Sequence, residues 1–217
     1  MTPEFKEWPK IARLRRNIII TEKIDGTNAQ IHIEKSDEPG GVYSGVLAVE
    51  GEPKCSYMNI YAGSRNRWLE VEGRGNDNFG FAKWVASNGK ELLSLGEGTH
   101  YGEWYGNGIQ RGYGLPNKRF ALFNVGRWTL DEGQAKLKPA CCEVVPILYN
   151  GPFSDDAVED ALATLRLFGS KVVPFNNPEG IIVYLTQARA MYKVTLDNDA
   201  EPKTIRSEAS VTRKEVE

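Results

Sequence analysis

Hydrophobic positions along the chain fall mainly into short runs. Asn17-Ile18-Ile19-Ile20-Thr21 is apolar and β-branched, a Gly-containing turn follows, and Ala29-Gln30-Ile31-His32-Ile33 alternates apolar with polar residues. That pattern predicts strand, turn and strand, a hairpin. Ser36 to Gly41 is turn material, and Val42 to Val49 and Lys54 to Ala62 predict two more strands, the second broken by Gly63-Ser64-Arg65-Asn66-Arg67. Thr99 to Tyr105 and Arg119 to Arg127 read as strands around the Gly-rich stretch from Gly106 to Asn117. Val144 to Leu148, Ile181 to Leu185 and Ala190 to Leu196 complete the set.

Helical spacing is rarer. Phe81, Trp84, Val85, Leu92 and Leu93 predict one or two helices within Phe79 to Leu95, interrupted near Asn88-Gly89. The clearest helix is Ser154 to Phe168, with a serine cap, Asp155 and Asp156 in its first turn and Gly169 after its end. Phe5 to Leu14, with Trp8 and Pro9, is expected to be a leading segment with a helical turn. The charged tail, residues 197–217, is expected to be mobile or weakly helical. The sum is an α+β fold dominated by antiparallel sheet, read as a single domain over residues 1–217 with a core of about 5–196.

Composition narrows the classes. The 217 residues are 41% hydrophobic and 26% charged, ordinary values for a globular chain. No apolar run reaches membrane-spanning length, and the first residues lack a signal-peptide core. Three cysteines, Cys55, Cys141 and Cys142, have no zinc-type spacing and predict reduced thiols in a cytoplasmic setting. Two histidines, His32 and His100, leave little material for histidine chemistry. A net charge of −2 does not advertise nucleic-acid binding, but binding needs only a basic face. Local clusters exist at Lys10, Arg13, Arg15 and Arg16, at Arg65, Arg67 and Arg74, and at Arg111, Lys118 and Arg119.

Candidate chemistry centres on Glu22-Lys23-Ile24-Asp25-Gly26-Thr27-Asn28. A lysine at a strand end, beside a tight turn and a carboxylate, is a candidate covalent nucleophile. Other polar residues sit where a plain sheet does not need them. Arg65 follows a strand, Glu103 lies within Tyr101-Gly102-Glu103-Trp104-Tyr105-Gly106, Glu179 precedes Gly180 and an apolar run, and Lys193 interrupts Met191-Tyr192-Lys193-Val194. Taken singly, each also fits an edge-strand charge, a turn residue or a snorkelling lysine.

In this order the motifs resemble those of the covalent nucleotidyltransferases, the superfamily of ATP-dependent DNA ligases, RNA ligases and mRNA-capping guanylyltransferases. Tyr101 to Gln110, Phe120-Ala121-Leu122-Phe123-Asn124-Val125 and the opening Trp8-Pro9-Lys10-Ile11 look most like the nick-sealing RNA ligases of bacteriophages and of trypanosome RNA editing. The resemblance implies an antiparallel-sheet adenylation domain. It also implies an ATP-dependent ligase that forms lysyl-AMP, passes AMP to a 5′-phosphate and seals with a 3′-OH. A DNA nick ligase, a capping enzyme and a non-sealing nucleotide- or RNA-end-binding module are the alternatives.

The same resemblance assigns roles. Lys23 is the nucleophile, and it attacks only as the free amine, which a positive field from Arg65, Lys193 and a metal ion favours. Glu103 accepts from the ribose hydroxyls, and Phe123, or less favourably Phe120, stacks on adenine. The backbone at Glu22 reads the base. Asn28 and Arg65 contact phosphate and the strand end. Glu179 organises Mg2+ or Mn2+, with Asp25 orienting the site or holding metal-bound water. Lys193 neutralises charge on the α-phosphate. Nucleic acid is the implied partner, and the compartment is the cytoplasm, the host's if the source is a phage.

Three departures stand out. Thr195 occupies the place of a second lysine, Asp25 stands where the phage enzymes often have histidine, and the chain stops soon after the last motif. The last point predicts a minimal core without a C-terminal oligonucleotide-binding domain, gripping nucleic acid alone or through an accessory protein.

Overall fold

A computed structural model describes residues 3–47, 56–72, 77–129 and 138–197. The chain forms two compact units. Of the described residues, the first comprises 3–23, 147–171 and 176–197, and the second comprises those between 24 and 146 together with 172–175.

In the first unit, β1 (Asn17–Lys23), β8 (Ile147–Pro152), β9 (Gly180–Leu185) and β10 (Ala190–Thr195) form an antiparallel sheet in the order β10-β9-β1-β8. Alternate residues of β1 point to one side, so Ile18 and Ile20 join Ile181 and Val183 against Ala157, Ala161, Leu162 and Leu165 of helix α3 (Asp155–Phe168). Helix α3 starts as its sequence predicts: the Ser154 hydroxyl accepts from the Ala157 N–H at 3.1 Å.

In the second unit, β2 (Thr27–Ser36), β3 (Tyr43–Leu47), β4 (Ser56–Gly63), β5 (Gly98–Gly106), β6 (Lys118–Leu122) and β7 (Cys142–Val144) run in the order β3-β4-β2-β5-β6-β7. All pairs are antiparallel except β6 with β7. Ala29, Ile31 and Ile33 of β2 face a core that helix α1 (Phe81–Leu92) completes with Phe81, Ala82, Val85 and Leu92. Phe81, Trp84, Trp104 and Phe120 pack there with ring centroids 5.2–5.8 Å apart.

Several expectations change. The runs on either side of Gly26 are both strands but not a hairpin: β1 pairs with β8 and β9, whereas β2 pairs with β4 and β5. Helix α1 continues through Asn88-Gly89, because Gly89 is where Tyr43 packs, and a Cβ there would lie 2.1 Å from that ring. Arg119 to Arg127 is not one strand, since β6 ends at Leu122 and a short helix α2 (Val125–Trp128) follows, capped by Asn124. Val144 to Leu148 divides between β7 and β8.

The leading segment forms no helical turn. Its Phe5, Trp8, Ile11 and Leu14 are exposed, and Pro9 lacks the N–H a helix needs. Cys141 and Cys142 are free thiols. Cys55, Arg74, the strand ends expected at Val49 and Lys54, and the tail beyond residue 197 lie outside the described residues. Among the described residues no helix is long and apolar enough to cross a membrane.

His100 supplies a pH test of this core. It is buried beside Trp128, and its Nε2–H donates to the Gly96 carbonyl at 2.9 Å. Burial, and then the nearby Arg127, hold its pKa below the usual 6.5. The unfolded chain therefore binds the proton more readily. Stability contributed by neutral His100 is complete above pH 6.5 and is lost as pH falls below it. Denaturant titrations across this range should show that slope in the native protein and a flatter one in His100→Gln.

Candidate active site

The heptapeptide is shared between the units: Glu22 and Lys23 end β1 in the first, and Ile24 to Asn28 open the second.

In the first unit Lys23 Nζ donates to Glu179 Oε2 at 2.5 Å, with side chains 23% and 18% exposed. The sheet register makes the pair possible. Lys23 sits opposite Gly180, and Gly180 sits opposite Thr195 on its other side. Residues directly across a ladder share a face, so Lys23 and Thr195 lie on one side of the sheet, together with Lys193 two positions back. This is the face away from α3. Gly180 is required between them, with φ +154° and a hypothetical Cβ only 2.2 Å from the Val194 carbonyl oxygen. Lys193 is exposed. The Thr195 hydroxyl donates to the Asp197 carbonyl at 3.0 Å.

Glu22 points the other way. Its carboxylate is buried and accepts from Ser170 Oγ at 2.6 Å and from the Lys171 N–H at 2.7 Å. A buried carboxylate needs such partners, and these tie the end of β1 to the chain leaving α3. The side chain is thus a structural clamp one residue before the candidate nucleophile.

In the second unit Glu103 is the hub. It is 8% exposed, and Asn28 lies opposite it in the β2–β5 register. Glu103 Oε1 accepts from the Gly26 N–H at 3.1 Å and Oε2 from Asn28 Nδ2 at 3.0 Å. Asn28 Oδ1 in turn accepts two bonds from Arg65, Nε at 2.8 Å and Nη2 at 2.5 Å. Arg65, Asn28 and Glu103 therefore form one continuous chain.

Phe123 is 39% exposed, and its N–H donates to the Tyr101 carbonyl at 2.9 Å, which extends the β5–β6 register by one pair. Parity places Phe123 on the Glu103 face with Ala121 between them. Phe120 lies on the opposite face, fully buried among the core aromatics, which leaves Phe123 as the open ring.

Asp25 is held by residues that the sequence did not single out for it. Its Oδ2 accepts from Arg111 Nε at 3.0 Å, and its N–H donates to the Tyr113 hydroxyl at 2.8 Å. Tyr113 is buried with φ +52°, packed on Tyr105 and Phe175. The available signal was an aromatic bracketed by glycines, Gly112-Tyr113-Gly114, in a loop otherwise read as connection. Arg119 is absorbed elsewhere, paired with Glu143 at 2.8 Å. Tyr105 donates to the same carboxylate, and burial followed by Glu143 pushes its phenol pKa up.

Among the described residues no three or more His, Cys, Asp or Glu side chains gather as a metal site. Glu179, beside Lys23, and Asp25, paired with Arg111, are the carboxylates expected at the metal, and each offers oxygen donors. That suits a hard divalent cation which keeps waters and substrate phosphates as its remaining ligands.

The family model described as RNA ligase matches residues 16–195. No curated protein matches the chain significantly. Among solved structures, two variants of Naegleria gruberi RNA ligase with ATP and Mn are similar in fold, each with TM-score 0.51 at 19% identity. The matches cover 84% and 85% of this chain and 50% and 51% of those chains. An apo variant of the same enzyme also gives TM-score 0.51 at 19% identity, over 84% of this chain and 50% of that one. The chain thus spans about half the length of these relatives.

Gly26 tests the hub. A Cβ there would lie 2.5 Å from the Trp104 carbonyl oxygen, 2.8 Å from Tyr105 Cβ and 2.9 Å from Glu103 Cγ. Gly26→Ala should cost about 1–3 kcal/mol, as overpacking does. Thermal melting should show it as a fall of several degrees in Tm.

Proposed function

The chain belongs to the RNA ligase family, and we propose that it is an ATP-dependent RNA ligase working through AMP bound covalently to Lys23. The observation that carries this reading is the Lys23–Glu179 pair on the sheet face that also bears Lys193. The pair fixes the lysine at a strand end, beside a glycine whose Cβ would collide with the Val194 carbonyl oxygen.

On this reading Lys23 Nζ attacks the α-phosphorus of ATP. The Lys23 ammonium first gives one proton to solvent; the P–N bond then forms as the bond to the β-phosphate breaks, pyrophosphate leaves with the electron pair, and a second proton passes from the nitrogen to solvent. Lys23 then gives up AMP to a 5′-phosphate end, and a 3′-OH displaces AMP to close the strand. Glu179, paired with Lys23 in this structure, is the carboxylate that would hold a Mg2+ or Mn2+ ion carried by the nucleotide phosphates. Such a cation, when bound, withdraws charge from the phosphate oxygens. The presence of ATP and Mn in the Naegleria structures agrees with these choices. Asp25, already paired with Arg111, serves by orienting the turn.

Lys193 offsets charge on the α-phosphate as it builds in the transition state. Glu103 has the two oxygens that vicinal ribose hydroxyls need, and Phe123 offers an open ring to adenine. Arg65, steered by Asn28, contacts phosphate at the strand end. The backbone at Glu22 is the candidate reader of the base.

Two outcomes are expected. Intact mass and peptide mapping after incubation with ATP and Mn2+ should find an AMP adduct on Lys23, absent in Lys23→Ala, whose fold is unchanged because Lys23 lies off the apolar core. Undiminished labelling of that variant, or a folded native protein that takes no AMP, overturns the reading and leaves a nucleotide-binding module. Thr195→Lys adds a cation on the Lys23 face and should leave the labelling rate equal or higher; a large loss of rate means the site is built around the smaller side chain.

A further inference from the structure

The face of the second unit's sheet that is turned away from its core carries an aromatic group that the proposed nucleotide chemistry does not use. The sharp turn Gly63 to Trp68 folds back on β4. The Ser64 N–H donates to the Arg67 carbonyl at 2.9 Å, and Gly63 and Trp68 form an isolated bridge. This lays Trp68 over His32 of β2 and Tyr61 of β4, which sit opposite each other in register. The three ring centroids are 5.8–6.1 Å apart. Trp68 is still 55% exposed, so its indole is only partly covered by the rings beneath.

Two features say what covers it. The first is charge: Arg65 and Arg67 lie on the same turn, within three residues of the indole. Cationic side chains interleaved with an open aromatic ring are what a single nucleic-acid strand requires, the arginines for phosphate and the ring for a base. The second is continuity. Asn28, Gln30 and His32 are alternate residues of β2 and point to one face, so His32 lies about 13 Å along the strand from Asn28. Arg65 bridges the two ends, bonded to Asn28 while belonging to the turn that carries Trp68. Gln30 Nε2 fixes that turn by donating to the Ser64 carbonyl at 2.8 Å.

Glu34 marks the far end, 3.5 Å from His32 Nε2. A carboxylate there repels phosphate, which places the strand's backbone on the arginine side and its base on the ring.

We propose that Trp68, backed by His32 and Tyr61, is a stacking platform for an unpaired base of the RNA strand whose end is being joined, with Arg65 and Arg67 on its phosphates. This rests on the ligase reading for the identity of the strand, but the platform itself can be tested without sealing.

The probe is a short 5′-phosphorylated single-stranded RNA oligonucleotide, with binding measured by anisotropy on the full chain. Trp68→Ala should weaken binding about tenfold, in the range for loss of one stacked base, whereas Trp68→Phe should keep most of it. AMP labelling from ATP and Mn2+ and the melting temperature report separately on the first chemical step and on folding. Unchanged RNA affinity in a folded Trp68→Ala protein overturns the platform while leaving the ligase reading intact. Normal RNA stacking in a protein that never takes AMP overturns the ligase reading alone. Should Trp68→Ala not fold, 4-thiouridine-substituted RNA photo-cross-linked to the native chain decides. A cross-link mapped to Trp68 supports the platform, and cross-links confined to other segments overturn it.

Discussion

A buried carboxylate has to be satisfied wherever the chain puts it, and in this protein Glu103 meets that requirement by organising its neighbours. Its two oxygens take the Gly26 N–H and the Asn28 amide, and through Asn28 they reach Arg65. The turn after Lys23 is therefore shaped from the second unit's sheet. The same contacts leave no space for a side chain at residue 26, so backbone packing and hydrogen bonding impose one conformation together. Removal of Glu103 would leave a backbone N–H and an amide seeking partners in a largely dry place, a heavier loss than one hydrogen bond.

The first unit solves a related problem with a different device. There the carboxylate of Glu22 is drawn inward and spent on Ser170 and Lys171, while that of Glu179 stays on the opposite face with Lys23. The two glutamates therefore serve separate ends. One holds the strand end in place, and the other is paired with the Lys23 side chain. Gly180 makes the arrangement possible, since any side chain there would collide with β10.

Much of the candidate site was legible because short motifs carry their own chemistry. Lys23, Glu103, Glu179 and Lys193 could be named from their neighbours, and the structure puts Lys23 with Glu179 and Arg65 with Asn28 and Glu103. Arg111 and Tyr113 were not legible as partners of Asp25. They lie 86 and 88 residues away in a loop whose spacing carries no periodic signal. The resemblance favoured Phe123 over Phe120, but the burial of Phe120 was not legible, because only strand parity sends one of the two into the core. The aromatic group at His32, Tyr61 and Trp68 joins β2, β4 and a turn, and no local pattern links those positions.

The sequence by itself determined the elements whose signals are local: the capped helix α3, the alternating strands, and the ordered motifs that mark the RNA ligase family. Alternation is a property of one strand and says nothing about which strand lies beside it. Only the tertiary structure sent β1 and β2 to different sheets although three residues separate them, carried α1 unbroken past Gly89 and turned Arg119 to Arg127 into a strand and a short helix. The physical reason is the same in each case. Pairing partners and close approaches such as Tyr43 on Gly89 are set by contacts between distant segments, and a nearby residue pattern cannot encode them.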